Sequence, residues 1–135
     1  MAELDAYLQQ MLDAGGSDLH LTVGLPPKIR VHGNLTALEN ATALDTDQMF
    51  KLLEEICPRK RWTAFLKTGD LDFAYEIPGV ARFRANYLRN HWGQAAVFRQ
   101  IPSRILTMAE LNLPETLATI CNYHEGLVLV TGPTG

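Results

Sequence analysis

The chain is poor in cysteine, in long apolar runs and in excess positive charge, and each shortage closes off a class of function. Its two cysteines, Cys57 and Cys121, stand far apart with no C-x-x-C pair. Neither a disulfide framework nor a zinc-ligand spacing is present, so both read as reduced structural thiols. No apolar run approaches the roughly 20 residues of a membrane helix. The acidic start, with Glu3 and Asp5, also lacks the basic opening of a signal peptide. A cytosolic protein that does not span a membrane is expected. The net charge of -3 argues against a general nucleic-acid binder, which needs a positive surplus to displace counterions from phosphates. There is no internal repeat and no low-complexity segment.

What is present suits an ordinary soluble domain. The 135 residues are 47% apolar and 20% charged, enough for a core of their own. Leu4, Leu8, Met11 and Leu12 recur at helical spacing before Gly15-Gly16, which predicts an amphipathic helix over residues 3–14. Ser17 to Val23 then alternates, with Leu19, Leu21 and Val23 on one face and Asp18, His20 and Thr22 on the other, as a half-buried strand does. Lys28 to His32 alternates again before a predicted Gly33-Asn34 turn. Two helices follow. One is capped by Asp45 or Thr46 and carries Met49, Phe50, Leu52, Leu53 and Ile56; the other starts at Pro58, holds Trp62, Phe65 and Leu66, and closes at Gly69. Three strand-like segments run over residues 70–77, 81–88 and 94–101. After Pro102 the pattern turns helical, with a Thr107/Glu110 capping box and a second start at Pro114. Residues 1–101 therefore read as an α+β domain with a mostly antiparallel sheet, and 102–135 as the entrance to a second, α/β domain.

The hairpin around Pro78-Gly79 has a register that the residues themselves select, because a one-residue slip exchanges the two faces of a strand. A two-residue loop would set Tyr75 against Arg82 and mix aromatics with charges. A three-residue loop, Pro78-Gly79-Val80, sets Tyr75 against Phe83, Phe73 against Ala85, Leu71 against Tyr87 and Glu76 against Arg82. One face is then apolar and the other carries Arg82, Arg84 and Asn86 beside Glu76, Ala74 and Asp72, with Arg99 and Val97 available from the next strand. Two accounts of this face stand side by side: cross-strand ion pairs on a solvated sheet, or guanidinium forks held for an anionic partner. Beyond Arg61, five of six basic residues are arginine (Arg82, Arg84, Arg89, Arg99 and Arg104, against Lys67), which leans toward the second.

Other candidates have less behind them. His20 and His32 share the outer face of adjacent predicted strands without a third ligand. Arg59-Lys60-Arg61-Trp62 is a short basic run, better explained as the exposed first turn of a helix than as a nucleic-acid patch. Asp70 and Asp72 pair carboxylates in the open, where nothing shields them for acid-base chemistry. The run Gly126-Leu127-Val128-Leu129-Val130-Thr131 is that of a strand buried on both faces of a parallel sheet. It leads into Gly132-Pro133-Thr134-Gly135, the first four positions of a phosphate-binding loop without its lysine or its hydroxyl. Such a strand without its sheet should be poorly packed, displaced or borrowed by another chain.

Seven short motifs come in order: Gly15-Gly16-Ser17-Asp18-Leu19-His20-Leu21, Pro26-Pro27, Gly33, Arg82-Phe83-Arg84-x-Asn86, Phe98-Arg99-x-Ile101-Pro102, Leu111-x-Leu113-Pro114, and Gly126 to Gly135. In this order the chain resembles the PilT-like ATPases of twitching motility, within the secretion-ATPase superfamily. The resemblance implies a PAS-like domain over 1–101 and, over 102–135, a linker with the first helix and strand of a RecA-like ATPase domain. It implies a hexameric motor that hydrolyses ATP with Mg2+ to drive type IV pilus retraction, peripheral to the inner membrane at the pilus base and in contact with a platform protein there. Gly132, Pro133, Thr134 and Gly135 match the start of the Walker A loop, and Arg82, Arg84 and Arg99 match arginines that reach nucleotide phosphates or the ring interface. The Walker lysine and the catalytic residues would lie beyond Gly135, so no nucleotide is expected on this chain alone and no hydrolysis by it. A related pilus-assembly, type II or type IV secretion ATPase, or a retraction accessory paralogue, is the first alternative, and a free-standing PAS-like binding or docking module the second.

Overall fold

The computed structural model describes residues 2–102 and 104–132. The chain divides into two compact units, Met1–Ser103 and Arg104–Gly135.

The first unit opens with α1 (Glu3–Asp13), which buries Leu4, Leu8 and Met11 at spacings of three and four. Its end is closed by a Schellman arrangement: the Gly15 amide donates to the Leu12 carbonyl at 2.9 Å and the Gly16 amide to that of Met11 at 2.8 Å. Gly15 takes φ 67°, which a side chain would resist. Gly16 serves a different need. A Cβ there would sit 2.9 Å from Met11 Cγ, 3.0 Å from the Met11 carbonyl oxygen and 3.3 Å from that of Arg30, so only glycine lets the helix end approach the sheet.

Six strands follow in one antiparallel sheet: β1 (Asp18–Thr22), β2 (Lys28–Val31), β3 (Asn34–Ala37), β4 (Asp70–Ile77), β5 (Ala81–Asn90) and β6 (Gly93–Ile101), in the spatial order β3-β2-β1-β6-β5-β4. Between β3 and β4 lie α2 (Thr46–Ile56) and α3 (Arg59–Thr68). Asp45 caps α2 through a reciprocal pair, its carboxylate accepting from the Gln48 amide at 2.8 Å while Gln48 Oε1 accepts from the Asp45 amide at 2.9 Å. Gly69, at φ 77°, ends α3.

The β4–β5 hairpin has the three-residue loop and the predicted register, with Tyr75 opposite Phe83, Phe73 opposite Ala85, Leu71 opposite Tyr87 and Glu76 opposite Arg82. One turn differs from its expectation. Val31 pairs with Asn34, so the β2–β3 turn is His32-Gly33, with φ 47° and 82°, rather than Gly33-Asn34. Two successive positive φ values are those of a tight two-residue hairpin, and the pattern had one more strand residue than the sheet uses.

One face of the sheet meets the helices. Leu19, Leu21, Ile29, Phe73, Phe83, Ala85, Tyr87, Ala96 and Phe98 form a single core with the apolar stripes of α1, α2 and α3. Its centre is a chain of edge-to-face rings: Phe50 on Trp62 at 5.0 Å, Phe65 on Tyr87 at 5.6 Å, Phe73 on Tyr87 at 5.1 Å and Tyr87 on Phe98 at 6.0 Å. The buried Tyr87 hydroxyl donates to the Leu53 carbonyl at 3.1 Å, whereas the buried Trp62 Nε1 has no partner among the described residues.

The second unit contains α4 (Thr116–Ile120), within the helix expected after Pro114. The Thr107/Glu110 box forms, Thr107 donating its amide to the Glu110 carboxylate at 2.9 Å, but it closes a turn and not a helix. Asn112, at φ 51°, lies just beyond it, and a helix cannot run through that conformation. The strand expected over residues 127–131 does not form. Leu127 is 81% and Val130 90% exposed, and no strand among the described residues pairs with this segment. A strand exists only as one side of a pairing, and no second side is present among the described residues of this unit. Cys57 is buried as expected of a structural thiol, whereas Cys121 is exposed on this unit.

Candidate functional site: a row of guanidinium groups

The other face of the sheet carries the charges. Alternation directs Arg82, Arg84 and Asn86 of β5, Asp72, Ala74 and Glu76 of β4, and Val97 and Arg99 of β6 away from the core, and among the described residues of this unit no helix takes them into its packing. Sheet pairing then sets these residues in rows. Arg84 faces Ala74 on one side and Arg99 on the other; Arg99 faces Asp18 of β1, and Asp18 faces Arg30 of β2. Two arginines directly opposite one another repel, and such a pair persists only where carboxylates or a bound anion offset it.

Each is held by a carboxylate. Asp72 takes Arg84 side-on, accepting from Nε at 3.0 Å and from Nη2 at 3.2 Å. Asp18 accepts from Arg99 Nε at 2.7 Å. Arg82 Nε lies 3.5 Å from Glu76. The grips leave Nη1 of Arg84 and both terminal nitrogens of Arg99 free of protein partners among the described residues. These side chains are 69% and 70% exposed, so donors are available to an incoming anion. The hydrogen bond from Arg84 holds the Asp72 carboxyl below the ordinary carboxylate range, and Asp72 in return raises Arg84. A shallow depression of about 240 Å³ beside Arg84 is lined by Asp72, Phe73, Ala74 and Ile101.

Arg82, Arg84 and Arg99 thus share one face, as their alternation predicts. Asp18 and Arg30 belong to it as well, which the sequence alone does not assign. Their outward direction was visible in the alternation of their own strands, but the strand order that puts β1 against β6 was not.

The remaining candidates separate. His20 lies on the outer face and His32 in the β2–β3 turn, so the two histidines are not brought onto neighbouring strands, and no cluster of three or more His, Cys, Asp or Glu suited to a metal occurs among the described residues. Arg59, Lys60 and Arg61 occupy the exposed first turn of α3, while Trp62 turns inward to 4% exposure, so no aromatic stands among those charges. Asp70 is exposed and Asp72 is committed to Arg84. Gly132 is exposed with open space around it, and Pro133, Thr134 and Gly135 lie outside the described residues.

No family model matches the chain. It is 46% identical over 121 residues to a type IV pilus retraction ATPase, PilT, of Pseudomonas aeruginosa, covering 90% of this chain and 35% of that protein. The chain belongs with the PilT-like ATPases. This PilT-like chain is also 37% identical over 109 residues to a twitching motility protein of Neisseria gonorrhoeae, covering 81% of the chain and 29% of the relative. Among solved structures it resembles the pilus retraction motor PilT with bound ADP, at a TM-score of 0.80 and 33% identity over all of the chain and 39% of that protein. The ATPase DotB of Legionella pneumophila follows the same fold at a TM-score of 0.66 and 26% identity, over 98% of the chain and 37% of DotB. The PilT-like chain therefore spans about a third of the length of the curated relatives it matches. No helix among the described residues is long and apolar enough to cross a membrane.

Proposed function

We propose that this chain is the N-terminal part of an ATP-hydrolysing motor that drives type IV pilus retraction, and that its arginine face supplies phosphate donors to that motor. The observation that carries the reading is the facing pair Arg84 and Arg99, held by carboxylates with terminal nitrogens open, in a chain 46% identical to a retraction ATPase. In this reading residues 1–101 are a PAS-like domain, 102–135 open a RecA-like domain, and Gly132 to Gly135 begin the Walker A loop. Six copies form a ring at the cytoplasmic side of the inner membrane, against a pilus platform protein. The phosphate loop of one subunit and the guanidiniums of the next meet at a nucleotide, whose hydrolysis depends on placement and on neutralising charge on the transferring phosphoryl group. Magnesium, bound with the nucleotide, supplies charge neutralisation there. The carboxylates of the facing row, Asp18 and Asp72, are taken up by guanidiniums, so this row suits phosphate oxygens and not a metal ion. The 135 residues alone lack the loop lysine and are inactive.

The test extends the chain beyond Gly135 through its phosphate loop and measures ATP turnover and nucleotide affinity for Arg82→Ala, Arg84→Ala and Arg99→Ala. Turnover at least tenfold below wild type in Arg84→Ala and Arg99→Ala is expected; wild-type turnover and affinity in all three would overturn the assignment. An accessory role in the same machine is the second reading. The chain is also 33% identical over 135 residues to a second type IV pilus ATPase of Pseudomonas aeruginosa, PilU, so more than one ATPase of that machine resembles it. Loss of pilus retraction in cells lacking the gene separates a motor from an accessory.

A further inference from the structure

Asp18 is out of place by every ordinary rule of a solvated sheet face. Its neighbours on that face are exposed or half-buried, yet it is 2% exposed and ionised. Burial alone would raise its carboxyl; the Ser17 hydroxyl and the Arg99 guanidinium outweigh it and hold the group below the usual range. Oδ2 accepts from Ser17 Oγ at 2.7 Å and lies 3.6 Å from Arg30 Nε, and Oδ1 accepts from Arg99 Nε at 2.7 Å. A buried charge satisfied this fully has a fixed position.

The two arginines on Asp18 are not equivalent. Arg30 is tied at a second point, donating from Nη1 to the Gly33 carbonyl at 2.9 Å, and its side chain is 36% exposed. Arg99 is held through Nε alone and is 70% exposed. One guanidinium therefore belongs to the scaffold and the other is aimed outward by it. Asp18 itself is set by the backbone before it. The Ser17 amide donates to the Arg30 carbonyl at 2.9 Å, the Gln100 amide donates to the Ser17 carbonyl at 3.1 Å, and Gly16 has no room for a side chain.

We propose that Asp18 is the positioning residue of the arginine face: it fixes Arg99 through Nε so that Arg99 and Arg84 converge as a two-pronged receptor for adjacent phosphates of a nucleotide. This rests on the phosphate reading above. Asp72 does the same for Arg84 from the exposed edge strand, side-on and in solvent, so the receptor has one buried and one solvated arm. Without Asp18 the two facing cations repel and Arg99 swings out of register with Arg84.

The test uses the 15N-labelled chain and excess inorganic triphosphate, a probe that can seat on the two guanidiniums without the phosphate loop a nucleotide requires, with the arginine Nε–H resonances as the readout. In the wild type, triphosphate is expected to shift both the Arg84 and Arg99 signals, with the Arg99 Nε–H protected from solvent exchange. Asp18→Asn should lose that protection and bind triphosphate at least tenfold more weakly, while the Arg84 signal and the backbone amide spectrum stay in place. Ser17→Ala, which removes one of the three groups on Asp18, should weaken binding a few-fold without loss of fold. A folded Asp18→Asn chain with affinity within twofold of wild type overturns the positioning role and leaves the arginines standing. Unfolding of Asp18→Asn together with unchanged binding in Ser17→Ala overturns it as well, by making Asp18 a matter of stability alone. If the wild type shifts neither arginine, the phosphate reading fails and the proposal fails with it.

Discussion

The two faces of the six-stranded sheet are built from the same strands and by the same alternation, but they answer to different physics. On the inner face Phe83, Tyr87 and Phe98 are fully buried and Tyr87 meets Phe73 and Phe98 edge to face, so each atom there contributes to stability. On the outer face Arg84 and Arg99 stand in solvent, where an ion pair contributes little to folding. What the outer face keeps is direction: carboxylates that fix where guanidiniums point. A residue's position in the alternation thus decides whether its loss shows in a melting curve or in a binding curve.

The largest effect that could break this comparison is expected on the inner face. Phe98→Ala opens a cavity beside Tyr87 and should cost about 3–5 kcal/mol in urea unfolding; a loss below about 1 kcal/mol would mean that the ring stack is not the core. Gly16→Ala comes next, at about 1–3 kcal/mol, because the new Cβ meets backbone oxygens that cannot yield as a flexible side chain would. Tyr87→Phe leaves the stack and orphans the Leu53 carbonyl, so roughly 1 kcal/mol is expected from the same measurement.

Acid sharpens the contrast from the other side. Burial, followed by the Arg30 charge, lowers the His20 pKa below its ordinary 6.5, so the folded chain prefers neutral imidazole. Its contribution is full above about 6.5, where neither state takes the proton, and is lost as the pH falls through the lower folded value. Asp18 is also depressed, so its share is full at neutral pH and disappears only in stronger acid, below the ordinary 3.8. Urea midpoints should therefore drop in two steps, and His20→Asn should remove the upper one. The smallest effect on stability is expected for Arg84→Ala, whose midpoint should match wild type while triphosphate binding is lost. A fall in its midpoint as large as that of Gly16→Ala would erase the distinction between the faces.

Much of this division was legible in the sequence. The three-residue loop at Pro78-Gly79-Val80 followed from requiring one apolar and one charged face, because any slip would have put Arg82 against Tyr75. Arg82 and Arg84 followed from that register, and Arg99 joined them once β6 paired with β5 in the agreeing register. Asp18 and Arg30 did not, since alternation gives the face of a residue and not its neighbour two strands away; that depends on β1 lying between β2 and β6, a tertiary choice. The His32-Gly33 turn was displaced by one residue because His32 continues the strand pattern while its backbone has already turned left-handed. Residues 127–131 read as a buried strand because composition records the environment a segment is suited to, even where the chain does not provide it.

The edge strand β4 has a consequence of another kind. Its open side presents unpaired amides and carbonyls to any passing chain, and its outward positions are Asp72, Ala74 and Glu76, with Asp70 at its start. Two copies aligned edge to edge would bring these carboxylates together, so the residues that steady the arginines also keep the sheet from growing across molecules. Neutralising Asp72 and Glu76 would therefore expose the chain to a hazard unrelated to phosphate: self-association into extended sheets at concentrations where the wild type stays dispersed.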